Sequence, residues 1–168
     1  MSGASREAVA ARFVERMGGA LTDAGLPRLP SRVFAAIVVD EDGRMTAAEL
    51  AETLAVSPAA VSGAVKLLSQ IGFLHRERER GSRKDVYVVD DDAWHGAMMR
   101  RDKTYTPMTS ALTAALDSLD ETAPARYRLW LMREFLDFVN AEMNGVAERW
   151  EAHRRDLEAS RDTTDVAH

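Results

Sequence analysis

The chain has 168 residues, 46% hydrophobic and 29% charged, with a formal net charge of −5, which is length enough for one domain with a sizeable core. Cysteine is absent, which excludes disulfides and thiolate metal sites and fits a reducing compartment. No apolar run approaches the roughly 18 residues of a membrane span, and the first residues lack a signal-peptide pattern. The expectation is a soluble cytoplasmic protein with no membrane partner.

In chain order, residues 5–24 predict an amphipathic helix, with Val9, Phe13, Met17 and Leu21 recurring every fourth residue. Gly25-Leu26-Pro27 ends it. Leu29-Pro30-Ser31 opens a second helix, RVFAAIVV, apolar nearly all round and so expected at the centre of a lobe. It stops at Asp40-Glu41-Asp42-Gly43. The stretch VVDEDGRMTAAE, residues 38–49, matches part of a calcium loop, with Asp40, Asp42, Gly43 and Glu49 in ligand-loop positions. Val38 occupies the first ligand position, so an acidic turn leading into a helix is the simpler reading, with no metal.

Residues 46–89 are the stretch around which the chain is organised. Thr46 is a good N-cap for a helix carrying Leu50 and Leu54 at i, i+4. Ser57-Pro58 then restarts a helix, Ser accepting from orphan N–H groups and Pro filling the first helical position. Val61, Val65 and Leu68 fall on one side of this second helix and pack against the first. Ala59, Ser62, Gly63 and Lys66 fall on the other, and they are small or hydrogen-bonding with a single cation at the far end. Such a face can lie flush in a major groove about 12 Å wide, whereas an ordinary solvated face would be richer in Glu and Lys.

A two-stranded hairpin follows. Phe73 and Leu74 begin its first strand, and Val86, Val88 and Val89 form the return. Alternation puts Arg76, Arg78 and Arg80 on one face and Glu77 and Glu79 on the other. A Gly81-Ser82 turn flanked by Arg80, Arg83 and Lys84 makes a cationic tip suited to phosphates or a narrow minor groove. Helix, turn, helix and basic hairpin together form a winged helix–turn–helix. Residues 57–87 hold six lysines and arginines against three acids, which leaves −8 on the remainder. An acidic body with one basic face keeps the footprint of a DNA binder.

Beyond the hairpin, Asp90-Asp91-Asp92 caps a long helix over 92–118 whose apolar members are Trp94, Met98, Met108, Leu112 and Leu116. Thr106-Pro107 bends or interrupts it. After the break at Glu121-Thr122-Ala123-Pro124 comes the longest helix, residues 125–158. Its residues Leu129, Met132, Leu136, Val139, Met143, Val146 and Trp150 form a heptad seam. Leu131, Phe135 and Phe138 form a second stripe, so this helix needs partners on two sides, the N-terminal helix and a second copy of the chain. The tail from Ser160 is expected to be disordered.

The fold class is therefore mainly α with a small β-wing, a winged helix–turn–helix lobe plus long N- and C-terminal dimerisation helices. The expected division is 1–28 for the N-terminal dimerisation helix, 29–90 for the DNA-binding domain, 91–160 for the C-terminal dimerisation region and 161–168 for the tail.

This layout resembles the MarR superfamily of dimeric transcriptional regulators, with details similar to its GbsR-like branch. The resemblance is carried by FVERMGG in the first helix, the LAETLAVSPAAVSGAVKLL core, IGFLHR entering the wing, and GSRK before VYVV. It implies a homodimer placing two recognition helices in successive major grooves of a pseudo-palindrome. By that similarity Ser57, Ala59, Ala60, Ser62, Gly63 and Lys66 face the operator, and Arg78, Arg80, Ser82, Arg83 and Lys84 the flanking backbone or minor groove. Many members carry Asp-x-Arg in the wing; here Ser82 and Lys84 stand there, and Lys lacks the guanidinium fork. The resemblance also implies a small-molecule effector, lipophilic or cationic, that releases the DNA. Phe13, Met17, Trp94, Met98, Trp130, Phe135 and Phe138 are its candidate pocket.

Two other function classes compete. Enzymatic chemistry has little to rest on: His75, His95, His153 and His168 are scattered, Asp91, Asp92 and His95 read as a helix cap, and Ser57 and Ser62 lack a nearby base. No catalytic residue, metal or cofactor is expected. A winged helix used for protein contacts, in chromosome organisation or complex assembly, is the stronger rival, and the arginine-rich wing argues against it.

Overall fold

The computed structural model describes residues 3–78, 84–90 and 102–165. The chain falls into two units, Met1–Ala97 and Met98–His168. The first contains α1 (Gly3–Asp23), α2 (Arg28–Val39), β1 (Arg44–Thr46), α3 (Ala47–Leu54), α4 (Pro58–Ile71), β2 (His75–Arg78) and β3 (Asp85–Val88). The second contains α5 (Asp102–Ser118) and α6 (Arg126–Asp165).

α2 is the centre of the first unit, as its all-round apolar sequence predicts. Val33, Phe34, Ala35, Ala36 and Ile37 are all buried. Its one buried polar side chain, Ser31, donates its hydroxyl to the Pro27 carbonyl at 3.0 Å and so is satisfied. The helix begins already at Arg28. Pro30 therefore lies in the first turn, where a missing N–H has no intrahelical partner to lose.

α1 packs on α2 through a face different from the one its fourth-residue spacing predicts. Val14, Gly18 and Leu21 are buried, whereas Val9 is 45% exposed and Phe13 and Met17 are half-buried. Each i, i+4 step overshoots a full turn by about 40°, so the row from Val9 to Leu21 winds away from any one neighbour. Gly18 marks the close approach, since a Cβ there would lie 3.0 Å from Arg32 Cγ. Arg32 Nη2 pairs with Glu15 at 2.7 Å across the same two helices.

The acidic segment after α2 is a self-capped turn. Asp40 Oδ1 accepts from the Asp42 and Arg44 backbone N–H groups at 3.1 and 3.4 Å. Gly43 has φ +63, and a Cβ on it would meet the Val89 carbonyl oxygen at 3.2 Å. The turn feeds β1, which the sequence reading missed, taking 40–46 as a turn alone. The sheet has three strands in the order β1-β3-β2, all antiparallel, with Met45 opposite Tyr87 and Arg76 also opposite Tyr87. Three residues with one apolar member are too few for a period-2 signal. β2 also starts later than expected: Phe73 and Leu74 precede it, and the Phe73 N–H closes α4 by donating to Leu68 O at 2.9 Å.

The helix pair α3–α4 forms as the sequence predicts. Thr46 Oγ1 accepts from the Glu49 N–H at 3.3 Å, and Glu49 Oε2 accepts from the Thr46 N–H at 2.7 Å, a complete capping box. Ala55 then turns left-handed at φ 52, and Val56 N–H donates back to Ala51 O at 3.0 Å. Ser57 Oγ accepts from the Ala60 N–H with Pro58 at the first helical position. The two helices bend by 112° at this break, within the range of a helix–turn–helix. Leu50, Leu54, Val61, Val65 and Leu68 are buried between them and α2.

In the second unit, Arg126 Nη1 donates to the carbonyls of Leu116 and Leu119 at 2.7 and 2.9 Å, tying the start of α6 to the end of α5. Leu116 and Leu136 are buried. Pro107 sits inside α5 without ending it; the expected cap at Asp91 and Asp92, with Trp94 and Met98, lies outside the described residues. The seam residues Leu129, Val139, Met143, Val146 and Trp150 are half-buried, but Met132 is exposed. α6 continues through Asp165, so residues 161–165 are helical where a disordered tail was expected. No Gly or Pro interrupts this stretch, and Arg154 bridges Glu151 and Glu158 at i, i+3 and i, i+4. Among the described residues no single helix is long and apolar enough to cross a membrane.

The capping box carries a testable consequence. Thr46→Ala should lower stability by about 1 kcal/mol in urea denaturation, and Thr46→Ser should retain most of it. The Thr46 backbone N–H, then the Thr46 hydroxyl, hold the Glu49 carboxyl below its usual 4.5. The stability this adds is present above that value and disappears as pH falls through the folded pKa. Wild type should thus exceed Glu49→Gln at neutral pH and converge with it in acid.

Candidate nucleic-acid interface

The caps at either end fix α4 in register, and its two faces separate cleanly. Val61, Ala64, Val65 and Leu68 are buried, while Ser57, Ala59, Ser62, Gly63 and Lys66 are exposed and Ala60 is half-buried. Five of the six expected groove-facing residues are thus exposed, and Ala60 is partly covered. Gly63 has no atom within 4 Å of where a Cβ would stand.

β2 and β3 carry a second set of charges in the same unit. Strand alternation holds through the described part of the wing, with Arg76 and Arg78 on one side and His75 and Glu77 on the other. Arg76 Nη1 donates to Asp85 Oδ2 at 3.1 Å. On the other side Glu77 is held between two neighbours. Its Oε2 accepts from Arg44 Nη2 at 3.2 Å, and its Oε1 lies 3.1 Å from His75 Nε2. The other His75 nitrogen, Nδ1, lies 3.1 Å from Asp90 Oδ2. The His75 hydrogen bond, the largest effect, pulls the Glu77 carboxyl below its usual range; desolvation opposes it, and the smaller effect of the Arg44 charge adds to the lowering. Exposed pairs of this kind contribute little stability; their effect here is on the field of the wing. Arg78 and Lys84 are exposed at the ends of the two strands. Arg80, Ser82 and Arg83 lie outside the described residues.

Arg44 is a cation of this surface that sequence reasoning overlooked. It enters the wing from β1, the strand too short to show a period.

Of the expected effector residues, Phe13 and Met17 are half-buried in the first unit; Trp130, Phe135 and Phe138 are exposed on α6 in the second. Trp94 and Met98 lie outside the described residues. A cavity of about 620 Å³ lies in the first unit, and none of the five described effector candidates lines it. Its walls are Val9, Ala10 and Val14 of α1, Ala36 and Val39 of α2, Met45 and Leu54, with the Arg6–Glu41 pair at its edge. Among the described residues no three His, Cys, Asp or Glu side chains cluster to hold a metal.

A MarR family model matches residues 24–85, the segment that builds this strip and wing. A second, described as an MmpR5-like MarR family transcriptional regulator, matches residues 92–153. The chain belongs to the MarR family of transcriptional regulators. The HTH-type transcriptional regulator MmpR5 of Mycobacterium tuberculosis is 27% identical to it over 139 residues, spanning 82% of this chain and 84% of that protein. A crystal structure described as that of a transcriptional regulator is 26% identical, covers 85% of this chain and 98% of its own, and superposes with a TM-score of 0.75. In the winged helix–turn–helix fold α4 stands in the position of the recognition helix, and the β2–β3 hairpin with its added β1 strand in that of the wing.

The carboxylates of the wing therefore temper its basic charge. Glu77→Gln should free Arg44 from its partner and strengthen binding to random DNA. The logarithmic salt dependence should steepen by up to about one unit, as read by fluorescence anisotropy across a salt series.

Proposed function

We propose that this MarR-family protein is a homodimeric, sequence-specific DNA-binding repressor that grips a pseudo-palindromic operator and lets go when a small lipophilic or cationic ligand binds. The observation that carries the DNA reading is the two-faced α4, capped at both ends and bent 112° from α3, with a basic wing beside it. A recognition helix needs that geometry to reach base edges while its partner helix crosses the backbone. Ser57, Ala59, Ala60, Ser62, Gly63 and Lys66 are the groove-facing set, and Arg78, Arg80, Ser82, Arg83 and Lys84 the backbone or minor-groove set.

Dimerisation is supported by α6. Leu131, Phe135 and Phe138 are 48, 62 and 65% exposed, in line with Tyr127 at 66%. An apolar stripe of that kind on a soluble chain marks an interaction surface, and a two-fold copy of itself supplies a matching one. The GbsR-like branch rests on the resemblance of FVERMGG, LAETLAVSPAAVSGAVKLL, IGFLHR and GSRK, while residues 92–153 are similar to the MmpR5-like description. For the effector, the α1–α2–α3 cavity has the volume of a small-molecule site. A ligand there acts only through its different affinity for the DNA-competent and incompetent states. The rival reading, a winged helix that docks on protein in chromosome organisation or complex assembly, does not account for the small-residue face of α4.

The test is titration of the protein onto labelled DNA from its own upstream region, at two salt concentrations, with random DNA as reference. Salt-sensitive binding of one dimer per site, well above the reference, is expected. Arg80→Ala with Arg83→Ala should weaken it and flatten its salt slope without moving the thermal midpoint. Binding that survives this double change unaltered would reject the wing assignment. No preference over random DNA would favour the protein-docking reading.

A further inference from the structure

α4 carries a glycine that the protein itself does not need. Gly63 lies in the interior of the helix, with φ outside the left-handed region and no atom within 4 Å of its absent Cβ. Neither backbone conformation nor packing within the chain calls for glycine. Against alanine, an exposed glycine in a helix interior lowers the folding equilibrium by a factor of about two to five. Gly18 of α1 differs, because Arg32 Cγ occupies the space a Cβ would take. Gly19 has surroundings as open as those of Gly63, so empty space alone names no partner. What separates Gly63 is its position on the exposed strip of the recognition helix, between Ala59 and Lys66.

That strip has unusual chemistry for a reader of bases. From Ser57 to Lys66 its exposed side chains are alanine, serine, proline and one lysine. It holds no Asn or Gln to pair bidentately with adenine and no Arg to pair with guanine. The first exposed amide is Gln70, in the last turn of the helix, whereas the N-terminal part of a recognition helix makes the base contacts. Small apolar groups recognise one base feature in the major groove, the 5-methyl of thymine.

We infer that α4 reads its half-site chiefly through thymine methyl groups seated against Ala59 and the bare backbone of Gly63, with Lys66 supplying one guanine contact. The missing Cβ lets the helix sit closer to the base edges than any other residue would allow. This rests on the DNA-binding reading above and names what the helix recognises.

The experiment uses the full-length protein and the DNA it selects. Each half-site thymine is replaced singly by deoxyuridine, which removes only the methyl, and Gly63→Ala is compared with wild type for thermal midpoint, operator affinity and random-DNA affinity. At least one uracil substitution should weaken wild-type binding about fourfold, the worth of one buried methyl-sized group, and should cost the variant less. Gly63→Ala should melt a few degrees higher, lose about tenfold or more in operator affinity and bind random DNA unchanged. A flat uracil scan, or a Gly63→Ala protein that binds the operator like wild type, overturns the inference while leaving DNA binding intact. A Gly63→Ala protein that melts lower also overturns it, since the glycine would then serve the fold. A wild type without preference for any DNA would instead bring down the underlying reading, and the inference with it.

Discussion

The constraint on which the DNA-facing unit depends is the turn between α3 and α4. Thr46 and Glu49 satisfy each other's backbone donors at one end, Ala55 turns left-handed in the middle, and Ser57 caps the helix that follows. An N-terminal helix end left without partners would expose orphan N–H groups. Here the caps fix where each helix starts, and so which residues of α4 face Leu50, Leu54 and α2. Once Val61, Val65 and Leu68 are committed to the core, Ala59, Ser62, Gly63 and Lys66 have only the outside left. The same register that fills the core therefore presents the exposed strip assigned above to the DNA.

Charge is distributed to the same end. The chain is acidic overall at −5, which disfavours indiscriminate attachment to nucleic acid. Even the wing is tempered, with Arg44 and Arg76 each held by a carboxylate. Phosphate attraction is sequence-independent, so on the proposed reading a restrained wing leaves a larger share of selectivity to α4.

Much of this was legible in the sequence because caps and helical periodicity are local signals. The Thr46 N-cap, Ser57-Pro58 and the spacing of the α4 valines each act within one or two turns, and the structure reproduces all three. What escaped depends on distant partners. β1 exists because β3 pairs with it, and three residues leave no alternation to read. Val14 is buried because Gly18 lets α1 lie close on α2, whereas the Val9–Phe13–Met17 row follows a period that winds off the contact. The cavity of the first unit draws on α1, α2, Met45 and Leu54, segments far apart in the chain, and such a meeting leaves no local signal. The length of α6 was underestimated because a polar terminal stretch reads as tail even when its charges pair along the helix.

The central claim is that the exposed strip of α4 enters the major groove, once per protomer. Because the chain has no cysteine, Ser62→Cys supplies a unique attachment point for an iron-chelate DNA-cleaving reagent on that strip. Cleavage of bound DNA is predicted in two clusters about one helical turn apart, roughly 10 base pairs, each centred in a major groove. Cleavage scattered evenly along the DNA, or none above that of free reagent, would contradict the account.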